Sequence, residues 1–110
     1  MVIDEPVPKG GEDKGPKPSE LLLASLGGCI SITLRMYAEH KQMPVEEISV
    51  FVKRGSAEKN KAALIHVNIT VSGDLDESQL KRLRAIAKRC PIHRTITGDV
   101  EISHELSQSV

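Results

Sequence analysis

The sequence predicts an α+β fold, and three observations carry that expectation. Between Leu21 and Leu34 the chain carries no charge, which marks a core helix. Two later stretches alternate apolar and polar residues in the manner of half-buried strands, and a third repeats apolar residues at helical spacing. The 110 residues suffice for one domain with a modest core.

Residues 1–17 read as an N-terminal loop with a short strand at Val2-Ile3, and residues 18–110 as the folded domain. Pro6, Pro8, Gly10, Gly11, Gly15 and Pro16 punctuate the first stretch as turns. A phosphate loop is excluded there. No Gly-Lys-Ser/Thr follows the glycines, and Pro16 lacks the amide that would face a phosphate. The first helix is expected from about Ser19 to His40, with Pro18 before it and Ser19 as its cap. Its uncharged run covers the whole helical wheel, so burial on every side is expected. Glu20 and Arg35 bound that run short of the roughly 20 apolar residues of a membrane span. Gly27 and Gly28 each cost a helix about 1 kcal/mol against alanine. Their presence implies tight helix packing or the close approach of another backbone or a substrate. Pro44 closes the segment.

Ile48–Lys53 and Ile65–Val71 alternate as strands and form an antiparallel hairpin, joined by a polar loop from Gly55 to Lys61, with His66 on the wet face. The second helix follows Gly73, where Asp76 and Gln79 have capping-box spacing. Leu80, Leu83, Ile86, Ala87 and Cys90 share its inner face, and Lys81, Arg84 and Lys88 a solvated one. Pro91 is expected to end it. Thr95 to Gly98 then turn the chain into a last strand, Val100–His104, before a frayed end.

Fifteen basic residues balance fifteen acidic ones, so no net field favours nucleic acid or an anionic membrane. Aromatic residues are limited to Tyr37 and Phe51, which leaves no stacking platform for single strands. Met1 is followed by neither a basic start nor an early apolar run, so the expectation is a cytoplasmic protein with reduced thiols.

The two cysteines are the chemical candidates. A free cysteine is often only a small core hydrophobe. Here Cys29 lies beside two glycines, and Cys90 is followed by a proline and surrounded by Arg89, His93 and Arg94, cations that lower a thiol pKa. A helix C-terminus opposes a thiolate at Cys90. Burial in mid-helix raises the pKa of Cys29, so a reactive Cys29 calls for a cation brought from elsewhere. A zinc site from Cys29, Cys90 and His93 lacks a fourth ligand unless distant His104 supplies it; no metal is expected.

Three motifs then become distinctive. Pro18-x-Glu20-Leu-Leu-Leu-Ala-x-Leu-Gly-Gly-Cys29, Thr33-Leu-Arg-Met-Tyr-Ala38 and Arg89-Cys-Pro-Ile-His-Arg-Thr-Ile96 resemble the OsmC/Ohr family, the osmotically inducible and organic hydroperoxide resistance proteins. The resemblance covers roughly residues 3 to 106. It implies two central helices packed by antiparallel sheet in an intertwined homodimer, with the usual N-terminal hairpin of the family missing. It also implies a thiol peroxidase of small organic hydroperoxides, with Cys29 attacking the peroxide and Cys90 resolving. An external dithiol would reduce the pair, and no cofactor is implied. Family peroxidases hold the thiolate with an arginine from the N-terminal strand region and carry a glutamate ten positions before the first cysteine. Ser19 stands at that place in this chain, with Glu20 one position off. Glu20, Arg89, His93 and Arg94 are therefore candidate supporting residues. The alternative is a non-enzymatic redox switch or binding module using the same cysteine pair; a further one leaves both thiols structural.

Overall fold

Helix α1 (Pro18–His40) is the axis of the fold, packed by the first strand and by both later helices. A computed structural model describes residues 1–55 and 64–109, and after α1 the order is β1 (Val45–Gly55), β2 (Leu64–Gly73), α2 (Glu77–Ala87) and α3 (Pro91–Thr97). The polar loop expected between the strands falls largely at 56–63, outside the described residues. α1 starts one residue earlier than expected. Lys17, not Ser19, is its cap residue, Pro18 takes the first helical position, and the Lys17 amide donates to Glu20 Oε1 at 3.0 Å.

Burial on every side does not hold within the single chain. Leu26, Ile30, Leu34 and Ala38, four residues apart, form one buried stripe, while Leu22, Ile32 and Met36 are 50%, 62% and 66% exposed. By length and composition alone α1 could cross a membrane. Its buried stripe instead meets Leu83, Ile86, Ala87 and Cys90 in the core.

α1 ends in a turn that hands the chain to the sheet. Gln42 adopts φ 53°, Met43 N–H donates to Ala38 O at 2.8 Å, and Gln42 N–H to Glu39 O at 3.2 Å. These are the two bonds of a Schellman ending. Arg35 then clasps the start of β1, donating from Nη1 to Val45 O and from Nη2 to Glu46 O, each at 3.1 Å. The sheet register is irregular between Val45 and Ile48, next to this clasp.

β1 and β2 pair antiparallel with the expected alternation. Ile48 lies opposite Val71, Val50 opposite Ile69 and Val52 opposite Val67, all half-buried against the core. Phe51 and His66 point to the open face. Gly73 has φ 132°, and a Cβ there would strike the Pro44 carbonyl, so glycine is required. A Cβ on Gly27 would sit 3.1 Å from Val52 Cγ2, whereas one on Gly28 would meet nothing within 4 Å. Tight packing therefore accounts for the first glycine only.

α2 has the reciprocal capping box that its sequence announces. Gln79 N–H donates to Asp76 Oδ1 at 2.8 Å and Asp76 N–H to Gln79 Oε1 at 3.0 Å.

Three expectations fail around Pro91. α2 stops at Ala87, so Cys90 lies beyond it and not on its inner face. At Pro91 the chain enters a third helix where a turn was expected, because proline at the first helical position sacrifices no helical hydrogen bond. Val100–His104 is not a strand: the sheet of the described residues has two strands, and this alternating segment pairs with the free edge of neither. Val100 and Ile102 remain 56% and 73% exposed.

The first residues are more ordered than a loop of prolines and glycines promises. Val7–Lys9 makes one 3-10 turn, and the Asp4 carboxylate accepts from the amides of Glu5, Glu12 and Lys14 at 2.8, 3.0 and 3.2 Å. The Lys14 and Glu12 amides hold Asp4 below the usual carboxylate range.

Candidate functional site

The site grows from the meeting of α1 with the first turn of α3. Cys29 lies midway along α1, half-buried at the edge of the buried stripe. Cys90 lies in the bend between α2 and α3, wholly buried in the core cluster. Both thiols are free, and the two side chains lie near enough to influence each other's titration.

The first turn of any helix leaves amides without intrahelical partners. In α3 that turn begins with Pro91, which has no amide to satisfy. The Ile92 amide turns to Cys29. The His93 amide donates to Cys90 Sγ at 3.2 Å, so Cys90 is itself the helix cap. The free donors of α3 thus converge on two sulfurs 61 positions apart in the chain.

Electrostatics divide the pair. Burial pushes the Cys29 thiol up, but hydrogen bonds from the Ile92 amide, Cys90 and Thr33 outweigh it and leave the thiol below its ordinary value. Burial also pushes Cys90 up, and the Cys29 side chain and its charge add to that rise against the His93 and Ile92 amides. Of the two, Cys29 is the thiol that ionises more readily. Among the described residues, neutral donors and not a cation lower the Cys29 thiol.

The other candidate residues stand apart from this chemistry. Glu20 is exposed and caps α1, about 13 Å along the helix axis from Cys29 at 1.5 Å per residue. Arg89 and Arg94 are exposed, and the influences on either thiol include no charge from them. His93 acts through its amide, not its imidazole. Among the described residues no three His, Cys, Asp or Glu side chains gather as metal ligands.

Sequence reasoning missed Thr33 and the Ile92 amide. Thr33 had a signal, since it stands one helical turn from Cys29. The amides had one as well, in a cap-like Cys90 directly before proline.

Comparison with known proteins gives this geometry a setting. A model of the family described as OsmC-like protein matches residues 11–105. An uncharacterised protein of Methanocaldococcus jannaschii is 29% identical over 96 residues, which are 84% of this chain and 51% of that protein. The chain therefore spans about half the length of the curated relative it matches. A crystal structure from Psychrobacter arcticus, of a candidate osmotic stress induced and detoxification response protein, superposes with a TM-score of 0.72 at 23% identity. It covers 86% of this chain and 69% of its own. The organic hydroperoxide resistance protein OhrB of Bacillus subtilis superposes with a TM-score of 0.55 at 25% identity, over 81% of this chain and 68% of its own.

Proposed function

The chain belongs to the OsmC-like protein family, and we propose that it is a thiol-dependent peroxidase of small organic hydroperoxides. The observation that carries this reading is that α1 packs on α3 and brings the free thiols Cys29 and Cys90, 61 positions apart in the chain, into one cluster, with their pKa values displaced in opposite directions. A likeness to an organic hydroperoxide resistance protein supports it.

The Cys29 thiolate attacks the outer peroxide oxygen and the O–O bond breaks. Cys29 becomes a sulfenic acid, and the departing alkoxide takes a proton to leave as alcohol. Cys90 then attacks the sulfenic sulfur, the S–S bond forms, and hydroxide leaves with the Cys90 proton as water. An external dithiol restores both thiols by exchange. The division of labour suits their positions: the half-exposed thiol meets the peroxide and the buried one waits beside it.

The working unit is a homodimer. At about 100° per residue, Leu22, Ile32 and Met36 lie within about 60° of Cys29 on the helical wheel, and all three are exposed in the single chain. A second copy laid on this face would shield the apolar residues and wall in the thiol. The unpaired Val100–His104 segment is available to its sheet.

Treatment with one equivalent of cumene hydroperoxide should remove two hydrogens from the mass, mapped to a Cys29–Cys90 disulfide and reversed by dithiol. Steady-state turnover with dithiol should follow, and Cys29→Ser should abolish it. Turnover unchanged in Cys29→Ser would sink the proposal, and oxidation without turnover would favour a switch instead.

A further inference from the structure

The even charge of the whole chain hides a local excess. From Ser78 to Gly98 there are six Lys or Arg residues and no Asp or Glu. α2 turns Leu83 and Ile86 into the core, which leaves Lys81 and Arg82 exposed on its outer side, and Arg89 exposed just beyond its end. α1 faces them with Tyr37, and Lys41 follows just past its end. Between the two helices lies a cavity of about 720 Å3 whose wall holds these four cations, Tyr37 and Ser78, and no carboxylate. Arg82 Nη1 donates to Tyr37 Oη at 3.5 Å, which ties one wall to the other. Among the described residues the ion pair is Lys14 with Glu12, so none of the four cations of this wall is held in a direct salt bridge.

We infer that this cavity binds a small organic diphosphate, of the nucleoside diphosphate class. A cleft with walls of one sign concentrates its field on counter-ions. Two guanidinium groups and two ammonium groups suit several phosphate oxygens at once, the arginines by paired donation. The ring of Tyr37 and the edge of Ile86 add an apolar surface for the organic part. The volume lies in the range of small-ligand sites, about 300–1,000 Å3. A single-stranded nucleic acid would need a series of aromatic platforms, and Tyr37 stands alone in this wall. The site is separate from the cysteine pair and does not rest on the peroxidase reading.

The test is calorimetric titration of the full chain with ADP, at low and at physiological salt. The expected result is saturable binding of one ADP per chain, weaker in salt. Lys81→Glu combined with Arg82→Glu should lower affinity by at least about tenfold, as lost charged hydrogen bonds do. Lys88→Glu, an exposed neighbour outside the cavity wall, should change it by less than about twofold. Cys29→Ser should bind ADP like the parent, which keeps this outcome independent of peroxide turnover. Absence of saturable binding at millimolar ADP would overturn the assignment. So would an equal loss in Lys88→Glu, since the attraction would then belong to the surface at large.

Discussion

Thr33 is the residue that distinguishes activation by hydrogen bonds from activation by a cation. Its hydroxyl is one of three donors that hold Cys29 below its ordinary value against the opposing effect of burial. The reactive form is the thiolate, so alkylation of Cys29 by iodoacetamide should rise with pH about a midpoint below that of an ordinary thiol. Cys90, displaced upward, should react only at higher pH. Thr33→Val keeps the shape and removes the donor. It should move the Cys29 profile to higher pH and slow alkylation near neutrality by about threefold or more; an unmoved profile would mean that the amides suffice. The two thiols were legible in the sequence through their motifs, but their partners were not. Arg89, His93 and Arg94 are neighbours of Cys90 along the chain, and chain proximity says nothing about which donor faces a sulfur. The Ile92 amide reaches Cys29 only because α3 packs on α1, a tertiary fact.

Elements with a strong internal period were the readable ones. α2, with its capping box, and the hairpin, with facing Val and Ile pairs, follow from local pattern because each supplies its own evidence. α3 was hidden by Pro91, which reads as a helix stop but takes the first position of a new helix, α2 having already ended at Ala87. Val100–His104 has a strand's alternation but no partner, because alternation alone does not carry a segment to a sheet edge. The turn after α1 offers a prediction at this scale. Gln42 occupies the left-handed position of the Schellman ending, where a side chain is disfavoured. Gln42→Gly should therefore raise stability by up to about 1 kcal/mol, read as a higher denaturation midpoint with an unchanged slope. A lower midpoint would show that the Gln42 side chain matters more than its backbone strain.

At the scale of the whole molecule, the uncovered face of α1 decides what the stable unit is. The expectation of a helix buried on every side fails for one chain, and the reason is that Leu22, Ile32 and Met36 find no cover within it. Light scattering should report twice the chain mass, and Met36→Glu should shift it toward the single-chain mass by placing a charge on that face. A parent protein of single-chain mass would refute the paired unit. The same face has a thermodynamic consequence. Where folding and association are linked, the melting temperature is no longer a constant of the sequence but climbs with protein concentration. Dilution would then act on this chain as a denaturant does, loosening it by mass action alone.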